Sequence, residues 1–173
     1  MPIETMIDAA AIQARIAEMA AEIRKDYAPD ATIHLVAVLK GAFMFQADLM
    51  RAFRGPVTCD FIAVSSYAGK SSSGEVRLTK DLDRSLEGKD VIIVEDIVDT
   101  GLTLSYLQEI LRAREPKTLR TACLLSKPSR RKIAVEVEYI GFTIEDKFVV
   151  GYGLDYDEVY RNLPFIGVLD GGN

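Results

Sequence analysis

Apolar and polar positions along the chain follow two periods, and their order predicts the elements. Ile12, Ile16, Met19, Ala20, Ile23 and Tyr27 recur at helical spacing, with Asp8 as a cap before them and Ala28-Pro29-Asp30 as a stop after them. Ile33 to Leu39 reads as a strand, followed by Lys40-Gly41 and a short helix from about Phe43 to Phe53. Residues 57–67 read as strand again. Residues 68–80 are polar, and Glu75-Val76-Arg77-Leu78 alternates, which predicts a long loop on a hairpin-like base. Gly88-Lys89-Asp90 turns the chain into a buried strand over Val91 to Val94, which stops at a tight loop. A helix then runs to about Arg114, where Glu115-Pro116 ends it. Leu119 to Leu125 and Ile133 to Ile144 have strand character, and Phe148 to Tyr152 is a last apolar run. Strands alternating with helices imply an α/β fold with a mostly parallel sheet and helices on its faces.

Composition narrows this picture. The 173 residues suit one domain, 1–173, long enough for a full core. No apolar run reaches the roughly 18 residues of a membrane helix. The N-terminus lacks a basic n-region, so no secretory signal is expected and the chain reads as cytoplasmic. Cys59 and Cys123 sit in apolar strand-like runs without metal spacing, and read as buried free thiols. His34 is the one histidine and alternates with apolar residues, which favours a structural role. A Ser-His-Asp triad and a multi-His zinc site are therefore unavailable. The net charge of −5 argues against binding nucleic acid by charge. It also means that a phosphate substrate needs local Lys, Arg, backbone N–H groups or a metal to reverse the field.

The densest chemistry lies where the strand at Val91 ends. Glu95, Asp96, Asp99, Thr100 and Thr103 place five polar groups in nine positions around Gly101. A helix cap needs only one such residue. In an open α/β sheet, ligands bind at the carboxyl ends of the strands. Glycine allows close backbone approach, and successive amides with a helix N-terminus bind an anion. Carboxylates accept hydrogen bonds only, so Glu95 and Asp96 suit the hydroxyls of a ribose. Gly69-Lys70-Ser71 imitates the end of a Walker A loop, but Val64 stands where its first glycine is required.

Glu-Asp-Ile-Val-Asp-Thr-Gly-Leu-Thr, residues 95–103, resembles the 5-phosphoribosyl-1-pyrophosphate motif of type I phosphoribosyltransferases, in the form found in the hypoxanthine(-guanine) enzymes of bacteria. Leu39-Lys40-Gly41, Ser65-Ser66-Tyr67, Lys127 in Leu-Leu-Ser-Lys-Pro, and the run Asp146 to Arg161 match further motifs of that family in the same order. The resemblance implies a twisted, mostly parallel sheet flanked by helices, a small hood from the terminal segments and a flexible lid loop opened by Ser66 and Tyr67. It implies that Glu95 and Asp96 hold the ribose hydroxyls. Thr100, Gly101, Leu102 and Thr103 hold the 5-phosphate, with Ile97 and Val98 in the same phosphoribosyl-pyrophosphate motif. Lys40, Gly41 and Arg161 meet the pyrophosphate. For the purine it implies that Lys127 reads the 6-oxo group, Phe148 stacks, Val149 contacts through its backbone and Asp155 lies beside it. Asp99 is the proton acceptor. The implied cofactor is Mg2+, with Glu95, Asp96 and Asp155 as its carboxylates. The implied partners are a purine base and 5-phosphoribosyl-1-pyrophosphate, without nucleic acid or membrane. A homodimer or homotetramer is expected, with the apolar first helix as a contact.

Two departures are visible: Ala42 where many relatives have a second glycine, and Leu102 where some have lysine. The rival readings are a nucleotide-sensing RNA-binding regulator on the same fold and a xanthine- or guanine-preferring phosphoribosyltransferase. Such regulators typically lack the acid at position 99 and need a basic face, whereas Arg130-Arg131-Lys132 is the one tight basic cluster here. Preference among hypoxanthine, guanine and xanthine is left open by the residues.

Overall fold

A computed structural model describes residues 2–66 and 76–170. Its central sheet has six strands: β2 (Ile33–Leu39), β3 (Val57–Ser66), β4 (Val76–Lys80), β5 (Asp90–Val98), β6 (Thr118–Ser126) and β7 (Tyr139–Thr143). They lie in the order β4-β3-β2-β5-β6-β7. All neighbours are parallel except β4, which returns antiparallel along β3 as the hairpin base that the alternating residues predict. A second sheet joins β1 (Ile3–Ile7), β8 (Val149–Val150) and β9 (Ile166–Leu169) in the order β1-β9-β8. It is the hood, built from both ends of the chain.

Helices α1 (Ala9–Lys25) and α2 (Phe43–Ala52) cover one face of the central sheet, and α3 (Leu102–Arg112) the other. Asp8 caps α1 by accepting a hydrogen bond from the Ala11 N–H at 2.8 Å. The positions spaced for a helix, Ile12, Ile16, Met19, Ala20 and Ile23, are the ones buried against Leu35, Ala37, Ile92 and Val94. Fully burying each large aliphatic side chain contributes about 1.5–3 kcal/mol. That apolar face is therefore occupied within the chain, which corrects its assignment as an oligomer contact. On the opposite face, Leu104, Leu107 and Leu111 of α3 pack on Val36, Val91 and Ile93. No helix of the described residues is long and apolar enough to cross a membrane.

Three further expectations are corrected. The strand at Val91 continues through Glu95 and Asp96 to Val98, because β6 supplies partners beyond Val94, pairing Ile97 with Leu125 and Val98 with Ser126. The two acids thus stand on a strand end, and the loop proper is Asp99 to Gly101. Of the run Ile133 to Ile144, only Tyr139–Thr143 is strand. The segment before it crosses the start of α3, where Val135 and Val137 pack on the core and Gln108 Nε2 donates to the Glu136 carbonyl at 2.8 Å. Cys123 is buried, but Cys59 is exposed near the start of β3. His34 is structural as expected: it is buried, with Nδ1 2.7 Å from Thr58 Oγ1 on the paired strand.

Candidate active site

The site follows from the strand order. The chain leaves β2 toward β3 on one side and returns to place β5 on the other, so the crevice above the carboxyl ends of β2 and β5 is a topological switch point. Lys40-Gly41 follows β2, and the loop Asp99–Gly101 follows β5. Gly41 packs so tightly that a Cβ there would overlap the Asp96 carboxylate. A Cβ at Gly153 would in turn overlap the Gly41 carbonyl, so three chain segments converge at this point.

Glu95 is 7% exposed and Asp96 is partly buried. Burial drives the Glu95 carboxyl well above its ordinary range, and the neighbouring Asp96 charge adds to this. Burial pushes Asp96 up to about 6, against the lowering effect of the Ile97 N–H, 2.7 Å from Oδ1, and of nearby Arg161. Two crowded carboxylates in this state favour an incoming cation or hydroxyl donors. Among the described residues no three His, Cys, Asp or Glu side chains converge closely enough to hold a metal by themselves. A magnesium ion fits as one held by one or two carboxylates and completed by substrate oxygens and water, the usual arrangement for phosphate substrates.

Gly101 starts α3 with φ 87°, a left-handed conformation in which glycine is unstrained. The loop before it is held from behind. The Arg131 guanidinium donates to the Val98 carbonyl at 2.9 Å, the Asp99 carbonyl at 2.8 Å and Ser126 Oγ at 2.8 Å. The Lys132 N–H donates to the Thr100 carbonyl at 2.9 Å. A cavity of about 230 Å³ lies at this loop, lined by Glu95, Asp96, Thr100, Gly101 and Thr103 among others. Gly101, Thr103 and Leu104 of that lining belong to the N-terminus of α3, whose first-turn amides lack intrahelical partners and suit an anion.

A larger cavity, about 800 Å³, lies beneath the hood and is lined by Lys127, Asp146, Phe148 and, from the hood, Thr5 and Leu169. Lys127 is 7% exposed, with Nζ 3.6 Å from Asp146 Oδ1. Asp146 Oδ2 is 3.5 Å from an Arg130 nitrogen, and Arg130 Nε donates to Asp99 Oδ1 at 2.8 Å. A chain of alternating charge thus runs from Lys127 to Asp99. Phe148 keeps 39% of its surface open and meets Tyr156 edge-on at 5.7 Å. Val149 is buried in β8 beside it. Asp99 lines both cavities.

At the outer rim Arg161 lies 3.5 Å from Asp155, and Lys40 pairs with Glu158 at 3.0 Å. Leu102 opens α3 and is half-exposed, and Ile97 and Val98 complete β5. Ser66 ends β3, paired with Val76, and Tyr67 lies outside the described residues. Arg130, Arg131, Asp146 and Glu158 escape the sequence reading. The basic run 130–132 was the signal for the two arginines, and its contacts hold the β5 loop.

A sheet with a switch-point crevice, a glycine loop entering a helix and paired acids beside it define a phosphoribosyl-transfer fold. Residues 4–157 match the family model for the phosphoribosyl transferase domain, and the chain belongs to that family. Relatives within it include hypoxanthine and hypoxanthine-guanine phosphoribosyltransferases. The enzyme of that name from Salmonella typhimurium is 51% identical over 95% of this chain and 94% of its own. A crystal structure of a Bacillus anthracis hypoxanthine-guanine phosphoribosyltransferase superposes with a TM-score of 0.92, at 46% identity, covering 96% of this chain and 98% of that one. The Trypanosoma cruzi hypoxanthine phosphoribosyltransferase, solved in complex with the product IMP, gives a TM-score of 0.90 at 44% identity, covering 97% and 94%.

Proposed function

We infer that the chain is a purine-salvage transferase that moves the 5-phosphoribosyl group from 5-phosphoribosyl-1-pyrophosphate to hypoxanthine, giving IMP and pyrophosphate. The observation that carries this reading is Asp99 on the wall shared by the two cavities. A purine in the larger one and a phosphoribosyl group in the smaller one meet beside that carboxylate.

The reaction breaks the bond from the sugar C1 to pyrophosphate and forms one from C1 to a purine nitrogen, through an oxocarbenium-like centre. Lys127 donates to the 6-oxo group, Phe148 stacks and Val149 closes the pocket from its backbone, with Asp155 at the outer edge. Asp99 accepts the purine proton as the new bond forms, exchanging Arg130 for the base. Glu95 and Asp96 accept from the ribose hydroxyls, and the stretch Thr100 to Thr103 binds the 5-phosphate. Lys40, the Gly41 amide and Arg161 offset the charge that builds on the leaving group. Holding both reactants in line and stabilising that charge are the larger contributions. Glu95, Asp96 or Asp155 would hold a magnesium ion, which when bound would supply further positive charge toward the leaving group.

Residues 1–173 act as one domain in this reading, and a homodimer or homotetramer is the expected assembly, read by light scattering. The phosphoribosyl substrate is highly charged and does not cross a bilayer, so the reaction belongs in the cytoplasm. The test is a base panel with 5-phosphoribosyl-1-pyrophosphate and magnesium, following nucleotide formation by absorbance. Hypoxanthine should turn over, with guanine and xanthine ranked beside it. Turnover of adenine but not hypoxanthine would overturn the choice of base. Inactivity with every base would favour the nucleotide-binding regulator.

A further inference from the structure

The rim of the site contains an acid that the reaction does not use. Glu158 sits between the two side chains assigned to the pyrophosphate: one carboxylate oxygen is 3.0 Å from Lys40 Nζ and the other 3.2 Å from an Arg161 nitrogen. Glu158 is the partner of Lys40 Nζ among the described residues. Arg161 has other anchors, donating to the Gly153 carbonyl at 2.6 Å and lying 3.5 Å from Asp155.

The backbone under Glu158 is a second, separate observation. Tyr156 and Val159 exchange hydrogen bonds of 3.0 and 3.1 Å, so Asp157 and Glu158 are the two central residues of a tight hairpin turn. Both have positive φ, 52° and 67°. Turns of this kind are built mainly from Asn-Gly, Asp-Gly or Gly-Gly, and a long side chain at the second position is strained. Glycine would serve the turn better. What glutamate adds is a carboxylate with the reach to touch both cations, and strained residues of this kind cluster where a site needs them.

We propose that Glu158 is a built-in competitor of pyrophosphate. Its carboxylate occupies Lys40 and Arg161 in the free enzyme, gives them up to the pyrophosphate end of the substrate, and takes them back as the product pyrophosphate leaves. The proposal rests on the reading of Lys40 and Arg161 as pyrophosphate-binding residues. The Lys40 pair is open to water, with side chains 67% and 63% exposed. Exposed pairs are worth up to about fivefold in an equilibrium, so the exchange is easy in both directions. A pyrophosphate carries more charge than one carboxylate and wins when present. The returning carboxylate then lowers its hold on the site, which keeps the product from lingering.

The experiment measures inhibition by inorganic pyrophosphate and the KM for 5-phosphoribosyl-1-pyrophosphate in Glu158→Gln and Glu158→Gly. The first keeps the side-chain length without the charge; the second relaxes the turn and controls for folding. Both variants should bind pyrophosphate about two- to fivefold more tightly. Both should lower the KM for the phosphoribosyl substrate and leave the KM for hypoxanthine unchanged. An unchanged or weakened pyrophosphate inhibition in both variants overturns the proposal. Lys40→Met separates the two levels. If it weakens pyrophosphate while the Glu158 variants do nothing, the cation assignment stands and the competitor fails. If it leaves pyrophosphate unaffected, the cation assignment fails and takes the competitor with it.

Discussion

Asp99 borders both the cavity proposed for the purine and the one proposed for the phosphoribosyl group, and its carboxylate is already engaged by Arg130 at 2.8 Å. Asp99→Asn keeps the shape and removes the proposed proton acceptor. A positioned general base contributes roughly 10²- to 10⁴-fold, so kcat should fall by that factor while both substrates still bind. Unchanged turnover would remove Asp99 from the reaction. His34 makes a prediction of the opposite kind, about stability alone. Burial, and then the charge of Lys89, hold its imidazole below the ordinary range. The unfolded chain therefore takes up a proton below about pH 6.5 that the folded chain refuses. Stability from this residue is complete above that pH and declines as pH falls toward the folded value. His34→Gln removes the titration, so the Tm gap between it and the parent should narrow or reverse from pH 7 to pH 5. A gap that does not change with pH would show that His34 does not titrate on unfolding. Both residues were singled out in the sequence, one as chemistry and one as core. Arg130 stood out there only as part of a basic cluster, because its contact with Asp99 spans 31 residues of chain that no local pattern records.

Among the elements, α1 and the start of α3 offer a contrast between structure and function. Asp8 caps α1 and lines neither cavity, and Asp8→Ala should cost about 1 kcal/mol of stability with no change in KM, read by urea unfolding and steady-state kinetics. Gly101 is left-handed, and a Cβ there would come within 3.2 Å of the Ile133 carbonyl. Gly101→Ala should cost about 1–2 kcal/mol in backbone conformation and, because the phosphate loop must shift, raise the KM for 5-phosphoribosyl-1-pyrophosphate. A KM that stays put would place the phosphate elsewhere. The elements with strong periodicity were legible: the buried face of α1 is the one its spacing marks, and β2 spans the run Ile33–Leu39. Those with weak or borrowed signals were not. β1 is a five-residue strand that exists through its antiparallel pairing with β9 at the other end of the chain. The acids at 95 and 96 look like loop because polar residues usually end a buried strand, yet β6 extends the pairing past them.

At the scale of the molecule, the two sheets divide the work. The cavity proposed for the phosphoribosyl group is lined from the central sheet, the loop leaving β5 and the start of α3, whereas Glu4, Thr5 and Met6 of the hood line the one proposed for the purine. Deleting residues 2–6 should therefore raise the KM for hypoxanthine and leave the phosphoribosyl substrate able to raise Tm. Saturation at 100 times Kd corresponds to about 2.7 kcal/mol of added stability. Loss of that thermal shift would mean that the hood supports both halves of the site. What the sequence alone determined is the alternation of strands and helices and the makeup of the motif from Glu95 to Thr103, because periodicity and close spacing are local properties of the chain. Only the tertiary structure decided that Asp99 stands between two cavities, that Arg131 braces its loop, and that Glu158 reaches Lys40 and Arg161. Each of these is a contact between segments distant in sequence, set by which strands lie side by side in the sheet, and pairing of that kind leaves little trace in the order of residues along either strand.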